Sequence, residues 1–195
     1  MTADAAENML RQPLPSAKRV PVPEGELVAL SLGSNQGDSV SILRGALQRL
    51  SAFLSGMRVS SLYRTAPQDV TDQPDFYNAA VSGRFCRTPD ALLRLVNGIE
   101  ADFGRDRLHG VPKGPRTLDI DILLFGNRTV SCKAPDLEIP HPAMKKRQFV
   151  LVPLLEILPD AADPVTGMFF RDVLAGLPDQ GVRKSEEELW KPIRL

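Results

Sequence analysis

Leu118-Asp119-Ile120-Asp121-Ile122-Leu123-Leu124-Phe125-Gly126 is the stretch on which the organisation of this chain turns. Successive side chains of a β-strand point to opposite faces, so Leu118, Ile120, Ile122 and Leu124 are expected on one side and Asp119, Asp121 and Leu123 on the other. The apolar side is suited to a core. The other side carries two acids roughly 7 Å apart along the strand.

Upstream of this strand, Thr88-Pro89-Asp90 supplies an N-cap, a proline at the first helical position and a first-turn acid, predicting a helix to about Phe103. Before that helix, Phe76 to Phe85 reads as a strand, and so does Met57 to Arg64, which runs into the polar loop TAPQDVTDQPD. Leu43, Ala46, Leu47, Leu50, Phe53 and Leu54 recur at helical spacing, and Gly56 stops that segment. LVALSL, from Leu27, is a short buried-strand run closed by the turn residues GSNQGD. Downstream, Gly126-Asn127 signals a turn and Thr129-Val130 a further strand. MKKRQFVLVPLLEILPD predicts a helix interrupted or started near Pro153, and FRDVLAGLP a shorter one. The order strand, helix, strand, strand, helix, strand is that of a split βαβ unit, so the fold class expected is α+β, an antiparallel-rich sheet with the helices packed on one face.

Three regions are expected. Residues 1–25 hold Pro13, Pro15, Pro21 and Pro23 without apolar periodicity and read as a flexible leader; residues 26–177 form the domain; residues 178–195, ending KSEEELWKPIRL, read as a charged tail. The 24 Lys+Arg balance the 24 Asp+Glu, a net charge of zero that speaks against a generic polyanion binder. No apolar run approaches the roughly 20 residues of a membrane span, and the start lacks a secretory h-region, so a cytoplasmic protein is expected. Cys86 and Cys132 belong to no Cys/His cluster and are expected as reduced thiols, mostly buried or without a role.

Asp119 and Asp121 are placed to converge on a hard cation. Mg²⁺ takes oxygen ligands and is usually held by one or two carboxylates together with substrate phosphates. The same spacing serves equally for acids that merely decorate a solvent face. Their neighbours favour the first alternative: Arg105, Arg107, His109, Lys113 and Arg116 precede them in a glycine-rich loop, and arginine grips phosphate oxygens with a planar fork. A further basic run, Lys145-Lys146-Arg147, follows His141. Neither a P-loop nor GxGxxG is present, so any nucleotide would be held by side chains and metal. In DQPDFYNAAV, the amide of Asn78 could read the edge of a heterocycle between Phe76 and Tyr77, although core packing of Phe76 or Tyr77 is the commoner explanation and Asn78 also suits a strand-end cap.

LSLGSNQGD, SLYRTAP, DQPDFYNAAV, GRDR with GPRTLDIDILLFG, and IPHPAMKKRQFVLVPLLEILPD occur in an order that resembles the 6-hydroxymethyl-7,8-dihydropterin pyrophosphokinases of folate biosynthesis, over about Leu27 to Pro159. The resemblance implies a ferredoxin-like βαββαβ core and transfer of the β,γ-diphosphate of ATP to the hydroxymethyl group of the pterin, releasing AMP. It implies Asp119 and Asp121 as ligands of two magnesium ions. It assigns Thr65, Ala66, Phe76, Asn78 and Phe149 to the pterin, and Glu100, Arg107, Arg116, Ile122, His141 and Arg147 to ATP. Arg105, Arg107 and Arg116, with the two aspartates, are the catalytic group so implied. The partners implied are ATP and the pterin, with no nucleic acid or membrane, and a monomer is expected. The chain departs from the family's pattern at Pro112-Lys113, where Arg-Trp is common, and at Ala66, where proline is common. A ferredoxin-like RNA-binding module is the alternative from another class, but its aromatic sheet signature is missing and acids on the strand face would repel a phosphate backbone. A catalytically inactive scaffold of the same family is the third alternative.

Overall fold

The first strand, β1 (Glu26–Ser34), alternates large and small side chains, and this alternation organises the sheet around it. Val28, Leu30 and Leu32 enter one apolar cluster, whereas Ala29 enters a second one on the opposite face. Ser31 and Gly33 continue the side of Ala29. The computed structural model that establishes this describes residues 25–67, 72–105 and 114–190. Of the expected leader, 1–25, residues 1–24 lie outside the described residues.

After β1 come α1 (Ser39–Ser51), β2 (Ser55–Val59), β3 (Tyr63–Thr65), β4 (Phe76–Phe85), α2 (Pro89–Asp102) and β5 (Asp119–Phe125). A hairpin of β6 (Val130–Lys133) and β7 (Asp136–Ile139), then α3 (Gln148–Ile157), α4 (Phe170–Ala175) and β8 (Arg183–Lys184), complete the described chain. The six-stranded sheet runs β5-β1-β4-β3-β8, with β2 paired to β4 as well, and every ladder in it is antiparallel. This is the βαββαβ arrangement expected, with the segment 57–64 divided into β2 and β3 around Ser60-Ser61-Leu62.

The helices α1 and α2 share the Val28/Leu30/Leu32 face, as expected for the core unit. Asp38 caps α1 by accepting a hydrogen bond from the Ser41 N–H (3.1 Å), and Thr88 and Pro89 open α2. Leu43, Leu47 and Leu50 of α1 are fully buried, each contributing about 1.5–3 kcal/mol by removal from water. Phe53 does not join them. The helix ends at Ser51, and Phe53 lies 46% exposed in the turn that follows. On the opposite face, α3 and α4 cover only part of the sheet, around Ala29, Ala80 and Leu123.

Two expectations are corrected in β5 and the cysteines. Leu30 pairs with Ile122 but Ala29 pairs with Leu124, so the ladder contains a bulge at Leu123. The extra residue turns Leu124 to the α3 side, next to Leu123, and returns Phe125 to the helix-covered core. Cys86 and Cys132 are exposed and form no disulfide, because each lies just outside the faces that pack. The C-terminal segment, expected as a charged tail, is docked as far as Trp190: Lys184 and Arg183 pair with Tyr63 and Arg64, Arg44 donates to the Glu188 carbonyl (2.6 Å), and Leu189 is buried in the first cluster.

Candidate active site

The cleft arises where large side chains stop. Ser31 and Gly33 of β1 lie opposite Asp121 and Asp119 of β5, and on the other side opposite Ala80 and Asn78 of β4. With no bulky group from the central strand, this end of the face opens into a cleft, bordered by Phe149 in the first turn of α3. It is lined by Ser31, Gly33, Thr65, Ala66, Gln73, Phe76, Asn78, Arg116, Asp119, Asp121, Arg147 and Phe149. Nine of these were singled out from the sequence; Ser31, Gly33 and Gln73 were not. The missed signal was legible in β1, where Ala29, Ser31 and Gly33 are the small partners of Val28, Leu30 and Leu32.

One end of the cleft is aromatic and neutral. Asn78 is buried, and its amide N–H donates to the Thr65 hydroxyl (2.9 Å), which fixes the plane of the amide. A primary amide offers two N–H donors and one acceptor, and this bond uses one donor. Phe76 and Phe149 add ring surfaces. Tyr77 does not: strand alternation turns it to the other face, where it packs against the helix-covered core.

The other end is ionic. Asp119 pairs with Arg105 and lies 3.2 Å from Arg116 Nε, although the side-chain Nε–H of Arg116 is not aimed so as to form a hydrogen bond. Asp121 faces His141 Nε2 and Arg147 Nη1, each at 3.8 Å. His141 Nδ1 accepts from the Ala143 N–H (3.3 Å), which leaves the ring proton on Nε2, toward Asp121. Burial first, and the neighbouring Asp119 second, push the Asp121 carboxyl above its ordinary value, against the pull of His141, Arg147 and Arg116. For Arg105, burial works to lower the guanidinium value, but Asp119, Glu100 and Asp121 outweigh it and hold it raised.

Two arginines join the ends. Arg116 stacks over the Phe76 ring at 5.3 Å and Arg147 over Phe149 at 5.5 Å, so each guanidinium covers an aromatic wall while standing beside an acid. Lys145 takes no part, because it pairs with the buried Asp163.

Glu100 and Ile122 stand outside the cleft. Glu100 is fully buried, and its carboxylate accepts from Arg105 (2.6 Å) and from the Ile120 N–H (2.7 Å), so it anchors α2 to β5 and holds Arg105 beside Asp119. Ile122 belongs to the helix-covered core. Arg107, with His109, Pro112 and Lys113, lies outside the described residues. Asn35 was not foreseen at all. Its amide donates to Gln73 Oε1 (3.0 Å) and the Pro74 carbonyl (3.1 Å), while its Oδ1 accepts from the Arg116 N–H (2.9 Å), joining the three loops around the cleft. Among the described residues, no group of three or more His, Cys, Asp or Glu side chains is gathered to hold a metal unaided.

Residues 29–159 match the family described as 7,8-dihydro-6-hydroxymethylpterin-pyrophosphokinase (HPPK). A protein of Methylorubrum extorquens named 2-amino-4-hydroxy-6-hydroxymethyldihydropteridine pyrophosphokinase is 42% identical over 160 residues, covering 80% of this chain and 97% of that protein. The mitochondrial folate synthesis bifunctional protein of Arabidopsis thaliana is 43% identical over 137 residues, 70% of this chain but 24% of that protein. A folic acid synthesis protein of Pneumocystis carinii is 34% identical over 86% of this chain, which spans only 22% of its length. The structure of Plasmodium falciparum HPPK-DHPS superposes with a TM-score of 0.61 at 17% identity, over 77% of this chain and 44% of that one, a likeness of fold.

Proposed function

The chain belongs to the 7,8-dihydro-6-hydroxymethylpterin-pyrophosphokinase family, and from that premise we propose that it transfers the β,γ-diphosphate of ATP to the hydroxymethyl group of 6-hydroxymethyl-7,8-dihydropterin in folate biosynthesis. The observation that carries this is the cleft's division into an amide-and-aromatic end and an ionic end. Asn78, with Thr65 and Ala66 beside it, reads the edge of the pterin, and Phe76 and Phe149 contact its faces. The pterin hydroxyl then points toward Asp119 and Asp121.

The pterin oxygen forms a bond to the β-phosphorus, the bond from that phosphorus to the oxygen bridging it to the α-phosphate breaks, AMP leaves with the electron pair, and the hydroxyl proton is released. The chain contributes positioning and charge, as is usual in phosphoryl transfer. Arg105 and Arg116, held by Asp119, and Arg147, held near Asp121, offset charge on the moving diphosphate; Arg107 belongs to the same proposal. His141, with its proton on Nε2, is a donor to a phosphate oxygen. Glu100 acts through Arg105, and Ile122 supports β5 from below.

Asp119 and Asp121 fit magnesium. Two carboxylates share one wall, one of them with its charge disfavoured by burial and by the other, and a divalent cation relieves both effects. When bound, Mg²⁺ supplies neutralisation of the triphosphate oxygens. A cytoplasmic, monomeric enzyme without nucleic-acid or membrane partners completes the proposal; no helix among the described residues is long and apolar enough to cross a membrane.

Purified protein mixed with ATP, Mg²⁺ and 6-hydroxymethyl-7,8-dihydropterin tests the proposal. AMP that appears only when the pterin is present supports it. ATP binding without AMP formation in folded protein refutes it in favour of an inactive scaffold.

A further inference from the structure

Glu156, in the last turn of α3, lies outside the cleft, yet its carboxylate collects several partners from another part of the fold. It accepts from the Ser61 N–H (2.9 Å), the Ser61 hydroxyl (2.6 Å) and the Tyr63 hydroxyl (2.9 Å), and Lys184 of β8 stands 3.7 Å away. Ser61 and Tyr63 belong to the entry into β3, the strand that ends in Thr65. α3 carries Phe149 near its start, seven residues before Glu156, and residues seven apart share one helix face about 10 Å apart along the axis. On the strand, Tyr63 precedes Thr65 by roughly 7 Å. The carboxylate therefore ties helix to strand at one end, while Phe149 of the helix and Thr65 of the strand both line the cleft at the other.

The helix between these points is weakened. Pro153 has no N–H to donate to the Phe149 carbonyl, so one hydrogen bond of the turn carrying Phe149 is missing. The placement of Phe149 thus depends more than usual on what holds α3 from outside.

We propose that Glu156 is a positioning residue for the pterin: by joining α3 to Ser61 and Tyr63 it sets the separation of Phe149 from Thr65 and Asn78. This rests on the assignment of those residues to the pterin. A merely structural role would lower stability and affect both substrates alike, whereas a positioning role acts on the pterin alone.

Steady-state kinetics with each substrate varied separately test this on wild type, Glu156→Ala, Glu156→Gln, Tyr63→Phe and Asn78→Ala. Phe85→Leu, at the far end of the sheet against Phe125, is the control for stability loss without contact with the cleft. Glu156→Ala is expected to raise KM for the pterin about tenfold, equivalent to about 1.4 kcal/mol, with KM for ATP unchanged. Tyr63→Phe is expected to give a smaller rise of the same kind, and Glu156→Gln, which keeps one acceptor oxygen, to recover much of the loss. An unchanged pterin KM in Glu156→Ala, or equal effects on both substrates that follow melting temperature as in Phe85→Leu, overturns the proposal. If Glu156→Ala does not fold, Tyr63→Phe decides by the same criterion. A raised pterin KM in Asn78→Ala beside an unchanged one in Glu156→Ala removes only the role of Glu156; no effect in Asn78→Ala overturns the pterin assignment and this proposal with it.

Discussion

Replacing Asn35 by alanine is the most direct test of how the cleft is assembled. Asn35 is 4% exposed, and its side chain makes hydrogen bonds to Gln73, Pro74 and Arg116, three bonds between segments far apart in sequence. At about 1 kcal/mol net for each bond, Asn35→Ala should cost about 3 kcal/mol. For a chain of this size, that is a fall of about 6–12 °C in melting temperature. The backbone N–H of Asn35 still donates to the Arg116 carbonyl (3.1 Å), so the loops should loosen rather than separate. Gln73→Ala removes one of the three bonds and should cost about a third as much. Urea unfolding of the two variants measures the ratio, and KM values report the cleft, with both substrates expected to bind more weakly in Asn35→Ala because its loops meet both ends. A loss below about 1 kcal/mol in Asn35→Ala, or an equal loss in Gln73→Ala, would refute the role of Asn35 as the junction.

Other substitutions probe the cleft piece by piece. A methyl group on Gly33 would stand 3.3 Å from Asn78 Oδ1 and occupy the cleft floor, so Gly33→Ala should raise pterin KM several-fold with little change in melting temperature. Asp121→Ala should abolish AMP formation while pterin binding, followed by fluorescence titration, survives; retained turnover would remove the metal role from Asp121. Asn78→Ala should show the reverse, with pterin binding lost and ATP binding kept. Burial raises the Glu156 carboxyl, but hydrogen bonds from Ser61 and Tyr63, with Lys184, outweigh it and hold it below its ordinary 4.5. Its contribution to stability is therefore complete above that value and is lost as pH falls through the lower folded value. Glu156→Gln should be less stable than wild type at pH 7, the gap narrowing as pH falls below 4.5; a gap independent of pH in urea unfolding would contradict this.

The strands and helices were legible wherever periodicity was strong and one face was buried. β4 begins and ends at Phe76 and Phe85 as read, and α2 starts at the proline that announced it. Asp119 and Asp121 could be placed on one face because the alternation holds between Leu118 and Ile122. It fails at Leu124, since a bulge depends on the partner strand and leaves no mark in β5 alone. Tyr77 and Phe76 look alike as neighbouring aromatics; only the side of β4 separates them. Asn35 and Glu156 were invisible for a different reason, because their partners are distant in sequence and no local pattern joins Asn35 to Gln73 or Glu156 to Ser61. The docking of Arg183, Lys184 and Leu189 was hidden by a charged composition that is usual for solvated segments.

The alternation of β1 also divides the protein's tolerance to change. Val28, Leu30 and Leu32 look toward α1 and α2, while Ser31 and Gly33 look into the cleft, and only the thickness of one backbone lies between them. The helix-covered side can therefore drift or be redesigned for thermal resistance, within the limits of close packing, while the cleft floor stays as it is. On the cleft side no such freedom exists, since every added carbon takes space from a substrate. A single strand thus separates the residues that set the lifetime of the fold from those that set its chemistry.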